Sequence, residues 1–330
     1  MCKIKKIGII ILLITISLYI NILKFNANNI ENSNIIIEEK VYINSDLELA
    51  YLIYLPNDYN INNKYRLVLF MHGAGDRGFD YDILHKIDYG FITTYINNQK
   101  YYQDTILIVP QCPIPYLWVD DSWESGEYSF TSNPSPAIKA VKELVDSIIN
   151  SYNIDTTKIY TTGVSMGGMA VWDLIARYPG FFAAAAPVCG ALDPTKINEY
   201  LKTPIFTCND LRDTIICATP TYNTANNLLE LNHDIVYKIY DTDVRNDLTC
   251  HSTWIDAYSI DKSENNLYNF LFSHELEINN DNNNSNTNEN INNPRENNIK
   301  NIFKYFLLIS LPFLFIIFII KIYLKKLKNH

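Results

Sequence analysis

The chain has 330 residues, 48% of them hydrophobic and 19% charged, with only 11 glycines and no internal repeat, which suits one globular domain of ordinary size with appendages and a sizeable core. Its net charge of −9 is uneven: residues 1–25 hold four Lys and residues 302–330 five, with no acid in either stretch. With those nine positive charges set aside, residues 26–301 carry about −18, which argues against a nucleic-acid partner, because phosphate binding needs a basic face.

Residues 7–23, IGIIILLITISLYINIL, form an apolar run behind Lys3, Lys5 and Lys6. This is the layout of a signal peptide or an uncleaved signal anchor over residues 1–26, with Ala27 the nearest small residue for cleavage. Ile35 to Ile43 and Glu48 to Leu55 read as β-rich segments, and Arg66 to Met71 as a buried strand that ends in a Gly-containing loop. Thr105 to Val109 is a further strand, stopped by Pro110. Pro136 to Asn150 has helical spacing at Ile138, Val141, Leu144, Val145 and Ile148, with Ser135 as its cap.

Beyond it, Lys158 to Thr162 reads as a strand and Met166 to Arg177 as a helix; Phe182 to Val188 and Thr203 to Thr207 are two more strands. Thr221 to Leu231 is helical, Ile235 to Tyr240 a strand, and Ser252 to Phe272 one or two helices. Strands alternating with helices over residues 35–275 imply an α/β domain, a mostly parallel sheet with helices on both faces. Residues 276–301 hold 13 Asn in 26 positions, too few apolar groups to offset the chain entropy of folding, so they read as a disordered linker. Asn292 to Asn297 loosely resembles a sortase sorting motif of the Asn-Pro type.

Residues 302–324 follow as a transmembrane helix, because the charge-free run from Tyr305 to Ile320 and its continuation to Leu324 give about 20 residues for a hydrocarbon layer of roughly 30 Å. Residues 325–330 form a basic cytoplasmic tail. Basic residues favour the cytoplasmic side, so the two terminal hydrophobic helices place both chain ends inside and the domain between them at the cell surface. Cys2 lies in the leader, which leaves Cys112, Cys189, Cys208, Cys217 and Cys250 in the exported part, an odd number that cannot all pair within one chain.

In open α/β sheets ligands sit outside the carboxyl ends of the strands, and the chemical motifs fall there. Gly163, Val164, Ser165, Met166 and Gly167 spell GxSxG between a strand and a helix. A nucleophile on so tight a turn needs small flanking residues. A dinucleotide or phosphate loop would want its own fingerprint or a Lys, and neither is present.

The loop from His72 to Gly78 follows the strand RLVLFM. Its Ala74 N–H, with the Met166 N–H after the nucleophile, is assigned as the oxyanion donor pair. A metal role for His72 lacks a nearby second ligand. Of the histidines after Ser165, only His251 lies in a loop between a strand and a helix at the correct sheet end; His233, His274 and His330 do not. Asp210 and Asp213 both follow the strand TPIFT, and spacing alone does not choose between them. Asp213 is favoured as the acid because an apolar pair after it returns the chain to the core. Trp118, Trp123 and Tyr128 lie after Pro115 in a segment suited to a loop over the site, where Trp118 and Trp123 could stack on a sugar or aryl group.

The stretches YLPNDYNINNKYRLVLFMHGAGDRG, IVPQCP, IDTTKIYTTGVSMGGMAVWDLIARYPGFFAAAAPVCG and LYNFLFSH resemble the secreted α/β-hydrolases of the predicted-peptidase/esterase family, which are similar to polyhydroxybutyrate depolymerases and feruloyl esterases. The resemblance runs from about residue 40 to 275. It implies an α/β-hydrolase fold, Ser165 as nucleophile, cleavage of a small-molecule or carbohydrate-linked ester, and no cofactor. The chain departs from the family's His-Gly-x-x-Asp at the acid, where Thr207, Cys208 and Asn209 stand, and from the Gly before the last His, where Cys250 stands. By analogy with some related esterases, a Cys208–Cys250 disulfide would join the acid and base loops. A serine peptidase of the same fold and an inactive surface-binding protein are the competing expectations. The absence of a propeller-like repeat lowers the first, and the intact Ser, His and oxyanion loop count against the second.

Overall fold

The computed structural model of the protein describes residues 35–241, 248–259 and 266–277. The expected leader, transmembrane segment and basic tail and nearly all of the expected Asn-rich linker lie outside the described residues. Within those residues no helix is long and apolar enough to cross a membrane.

Eight strands form one sheet in the order β1-β2-β4-β3-β5-β6-β7-β8. They are β1 (Ile35–Ile43), β2 (Glu48–Pro56), β3 (Tyr65–Met71), β4 (Thr105–Pro110), β5 (Ile154–Val164), β6 (Ala184–Val188), β7 (Ile205–Asp210) and β8 (Ile235–Tyr240). From β4 onward across the sheet all neighbours are parallel, whereas β2 runs antiparallel to β4 and β1 antiparallel to β2. The register places Tyr51 opposite Pro110 and Ile35 opposite Pro56. The chain therefore enters β1 at the end of the sheet where the parallel strands begin, and the site lies where they finish.

The central strands are buried on both faces. In β3, Leu67, Leu69 and Met71 point into one core and Val68 and Phe70 into the other, the period-2 alternation of a strand buried on both sides. Helices α4 (Pro136–Ser151), α5 (Met166–Arg177) and α7 (Thr219–Glu230) cover the first face. Short helices α1 (Tyr81–Leu84), α2 (Phe91–Ile96) and α3 (Gln99–Tyr102), with α8 (Trp254–Ala257) and α9 (Leu267–Ser273), cover the second; α6 (Ile197–Tyr200) joins β6 to β7. As the sequence leads one to expect, α4 opens on Ser135, whose Oγ accepts from the Ile138 N–H at 3.0 Å, and on Pro136 in the first turn.

Helices α1 to α3 have no counterpart in the sequence pattern. They are four to six residues each, too short for a 3.6-residue period to register. Leu84 buries α1 in the core, and aromatic packing holds α2 and α3: Phe91 stacks on Phe70 at 5.1 Å and on Tyr268 at 5.3 Å, and Tyr101 stacks on Tyr268 at 4.8 Å. The body closes where the Leu276 N–H donates to the Thr157 carbonyl near the start of β5, at 3.0 Å, just past the expected boundary at 275.

Candidate active site

Ser165 sits between the last residue of β5 and the first of α5 with φ 57° and ψ −120°. A non-glycine residue persists at such a φ only when its surroundings over-determine it. Here the Ser165 N–H donates to the Val188 carbonyl of β6 at 3.0 Å, and its carbonyl accepts from the Met169 N–H at 3.0 Å. The flanking glycines are required by close approach: a Cβ on Gly163 would stand 2.6 Å from the Met71 carbonyl oxygen, and one on Gly167 2.0 Å from the same atom. The turn is thus pressed onto the end of β3, and the hydroxyl faces the open end of the sheet.

His251 approaches from the segment between β8 and α8. Its Nε2 lies 2.9 Å from Ser165 Oγ, and its Nδ1 lies 2.6 Å from Asp213 Oδ2. An ionised carboxylate only accepts, so Nδ1 carries the hydrogen and Nε2 is left to take the serine proton. The Asp213 side chain is fully buried, and its other oxygen accepts from the Ile215 and Ile216 N–H groups at 2.8 and 3.0 Å. Asp210, the alternative left open by spacing, instead accepts from the Arg212 N–H at 3.0 Å and faces the Arg212 guanidinium at 3.4 Å. Of the two aspartates, Asp213 is the one that meets the imidazole.

The loop after β3 makes a 3-10 turn over Ala74–Asp76. A Cβ built on Gly73 would stand 3.7 Å from Ser165 Cβ, so the start of this loop lies close to the nucleophile. Met166 is the first residue of α5, so its N–H has no acceptor within the helix. The two expected oxyanion donors thus belong to segments that adjoin the serine, the loop after β3 and the first turn of α5.

His72 braces this loop and has no nitrogen left for a metal. It is fully buried; Nδ1 donates to the Gly73 carbonyl at 2.7 Å, and Nε2 accepts from the Cys112 N–H at 2.9 Å. Desolvation pushes its pKa down to about 4, which keeps the ring neutral. Among the described residues no group of three or more His, Cys, Asp or Glu side chains is placed to hold a metal ion.

Two expectations are corrected. Trp118 is not a substrate platform: it is fully buried, and its indole N–H donates to the His72 carbonyl at 3.0 Å. Its neighbour Tyr128 is also buried and donates to Asp173 at 3.2 Å. Trp123 is half-buried against a small cluster that includes Val119, Met169 and Ile216. Secondly, Cys208 and Cys250 are not bridged: among the described residues no disulfide joins any of the five cysteines. The Cys208 Sγ points instead at the Thr253 carbonyl, 3.7 Å away. Burial pushes the Cys189 thiol well above its ordinary pKa, so it is held protonated.

Two residues at the site escaped the sequence reading. Trp254 meets the His251 ring edge-on at 5.5 Å, and Tyr89 meets Trp254 edge-on at 5.5 Å. The position of Trp254 three residues past the base is a usable signal; for Tyr89 no motif exists.

A hydroxyl against an imidazole whose far nitrogen is held by a carboxylate is equipped for acyl transfer. The fold it stands on has a close relative in a thermostable esterase of known crystal structure, with a TM-score of 0.62 at 26% identity over 72% of this chain and 63% of that one. The chain thus has the α/β-hydrolase fold. Residues 44–226, more than half of the chain, match the family described as "Putative esterase", and the protein belongs to that family. It is similar to acetylxylan esterase A of Emericella nidulans, 33% identical over 86 residues, 26% of this chain and 27% of that one. It is also similar to poly(3-hydroxyalkanoate) depolymerase C of Paucimonas lemoignei, 36% over 69 residues, 21% and 16% of the two chains. Feruloyl esterase B of Talaromyces funiculosus is 28% identical over 161 residues, 46% and 42% of the two. The chain spans less than half the length of each of these curated relatives.

Proposed function

We propose that the protein is a serine carboxylic ester hydrolase that works through Ser165, His251 and Asp213 by way of an acyl-enzyme. The observation that carries the reading is the hydrogen-bond chain from Ser165 Oγ to His251 Nε2 at 2.9 Å and from His251 Nδ1 to Asp213 Oδ2 at 2.6 Å. His251 takes the serine proton as Oγ attacks the ester carbonyl. Asp213 holds the tautomer and stabilises the imidazolium that forms. The Ala74 and Met166 amides receive the oxyanion, the alcohol leaves with the proton from His251, and water then releases the acid by the reverse steps. The names of the relatives, acetylxylan esterase and feruloyl esterase, support small-molecule or carbohydrate-linked esters as the substrate class.

The same proposal sets the domain outside the cell, tethered by the apolar segments at its two ends. What supports this is the Lys-flanked runs at 7–23 and 305–320. Turnover of short aryl esters by the full-length protein, with fluorophosphonate labelling, tests the chemistry: both vanish in Ser165→Ala, and kcat/KM falls by about 10⁴-fold or more. A folded wild type that neither labels nor turns over esters overturns the reading. Digestion of the domain by protease added to intact cells tests the location, and full protection overturns it.

A further inference from the structure

We infer that Tyr89 is a positioning residue of this reaction, its phenol fixing the oxyanion loop against the wall that carries the base; the inference rests on the ester-hydrolase reading. Tyr89 lies just ahead of α2 with φ 51°, and Gly90 follows with φ 85°. An aromatic side chain in the left-handed region is costly, so the backbone is bent here against its preference in order to aim the ring.

The phenol hydroxyl donates its only hydrogen to the Asp76 carboxylate and accepts from the Gly73 N–H at 3.3 Å. Gly73 and Asp76 bracket Ala74, and the Asp76 N–H closes the same turn onto the Gly73 carbonyl at 3.3 Å. The hydroxyl therefore spans the turn that presents the Ala74 amide. It leaves no space for a side chain at position 73, where a Cβ would stand 2.9 Å from Tyr89 Oη.

The ring continues the connection. It lies 6.1 Å from Phe70 on β3, the strand that delivers the loop, and 5.5 Å from Trp254, whose own ring lies 5.5 Å from His251. One half-buried side chain thus touches the oxyanion loop, the strand behind it and the aromatic wall of the base. Burial and the Asp76 carboxylate both push the phenol pKa up, so the hydroxyl stays protonated. With its hydrogen committed to Asp76 it does not itself donate to the oxyanion; it acts through Ala74.

The test compares Tyr89→Phe with Asp76→Ala and Asp76→Asn in the full-length protein, with kcat normalised to titrated active sites. Tyr89→Phe keeps the ring contacts and releases the turn. Its kcat falls about 10- to 100-fold, a fraction of the ~10²–10³ that removal of an oxyanion donor costs. KM moves by less than about threefold, and the pH profile set by the His251–Asp213 pair is unmoved. Asp76→Ala falls to the same level, the double variant falls no further, and Asp76→Asn, which still offers the phenol an oxygen, recovers most of the rate. Affinity for a trifluoromethyl ketone, whose adduct is a tetrahedral oxyanion, drops by the same factor as kcat. A purely structural role would lower the melting temperature and the number of active sites but leave kcat per site unchanged, and that result overturns the inference. So does a loss confined to KM. If Tyr89→Phe does not fold, Asp76→Ala breaks the same bond from the other side. A wild type with no Ser165-dependent turnover brings down the ester-hydrolase reading itself, whereas full turnover in Tyr89→Phe brings down only the role of Tyr89.

Discussion

The loop after β3 and the segment before α8 each set a buried histidine at the same end of the sheet, and the two rings are used in opposite ways. His72 has backbone partners on both nitrogens, a carbonyl on one side and an amide on the other. His251 has side-chain partners, a carboxylate and a hydroxyl. Both rings are nearly inaccessible, so burial does not separate scaffold from chemistry; the partners do. A carbonyl and an N–H satisfy only the neutral ring, and desolvation then opposes charge. A carboxylate stabilises the positive ring, which is what a base needs at the instant it takes a proton.

The largest test of this contrast is removal of the carboxylate. Asp213→Asn should lower kcat/KM by about 10³–10⁴-fold, while Asp210→Asn, which keeps an oxygen for the Arg212 N–H, should stay within about tenfold; equal losses would erase the distinction between the two aspartates. Next comes pH. His72 has a folded pKa near 4 against about 6.5 when unfolded. The unfolded state therefore binds more protons between these values, and stability present above pH 6.5 is lost as pH falls towards 4. The loss is roughly 3 kcal/mol at most, read as a falling melting temperature.

His72→Gln should flatten that acid limb. It should itself cost about 2 kcal/mol at pH 7 in urea unfolding by disturbing the Cys112 and Gly73 contacts. The smallest effect belongs to Trp118→Phe: loss of the indole donor to the His72 carbonyl should cost about 1 kcal/mol, with KM for aryl esters unchanged. A clear rise in KM would return Trp118 to the substrate.

The sequence made the elbow legible because everything that shapes it is local: a strand, a Ser between small residues, a helix. His251 was legible by elimination along the strand order. The acid was legible in part: spacing does not choose between Asp210 and Asp213, the apolar pair after Asp213 favoured it rightly, and the Ile215 and Ile216 amides aimed at its carboxylate are what spacing does not reveal. Trp118 was misread for a similar reason. An aromatic residue in a loop has no periodicity to show which way it faces, and its indole found an orphan carbonyl inside. The disulfide inferred by likeness failed because chain neighbours of the acid and base need not face each other; Cys208 turns towards Thr253. Tyr89 lay outside any motif, and only the folded loop gives it partners.

The antiparallel edge of the sheet has a consequence for handling the molecule. Because β2 reverses direction and β1 reverses it again, the first described residue, Ile35, lies beside Pro56 where the parallel strands begin, and Leu276, near the end of the described residues, lies beside Thr157 near the start of β5. Eight strand residues at about 3.3 Å each put Ser165 roughly 25 Å from Thr157. The described domain thus begins and ends at one pole and holds Ser165 at the other. Grafting the domain to a bead through Ile35 or Leu276 would set its support at the pole away from Ser165.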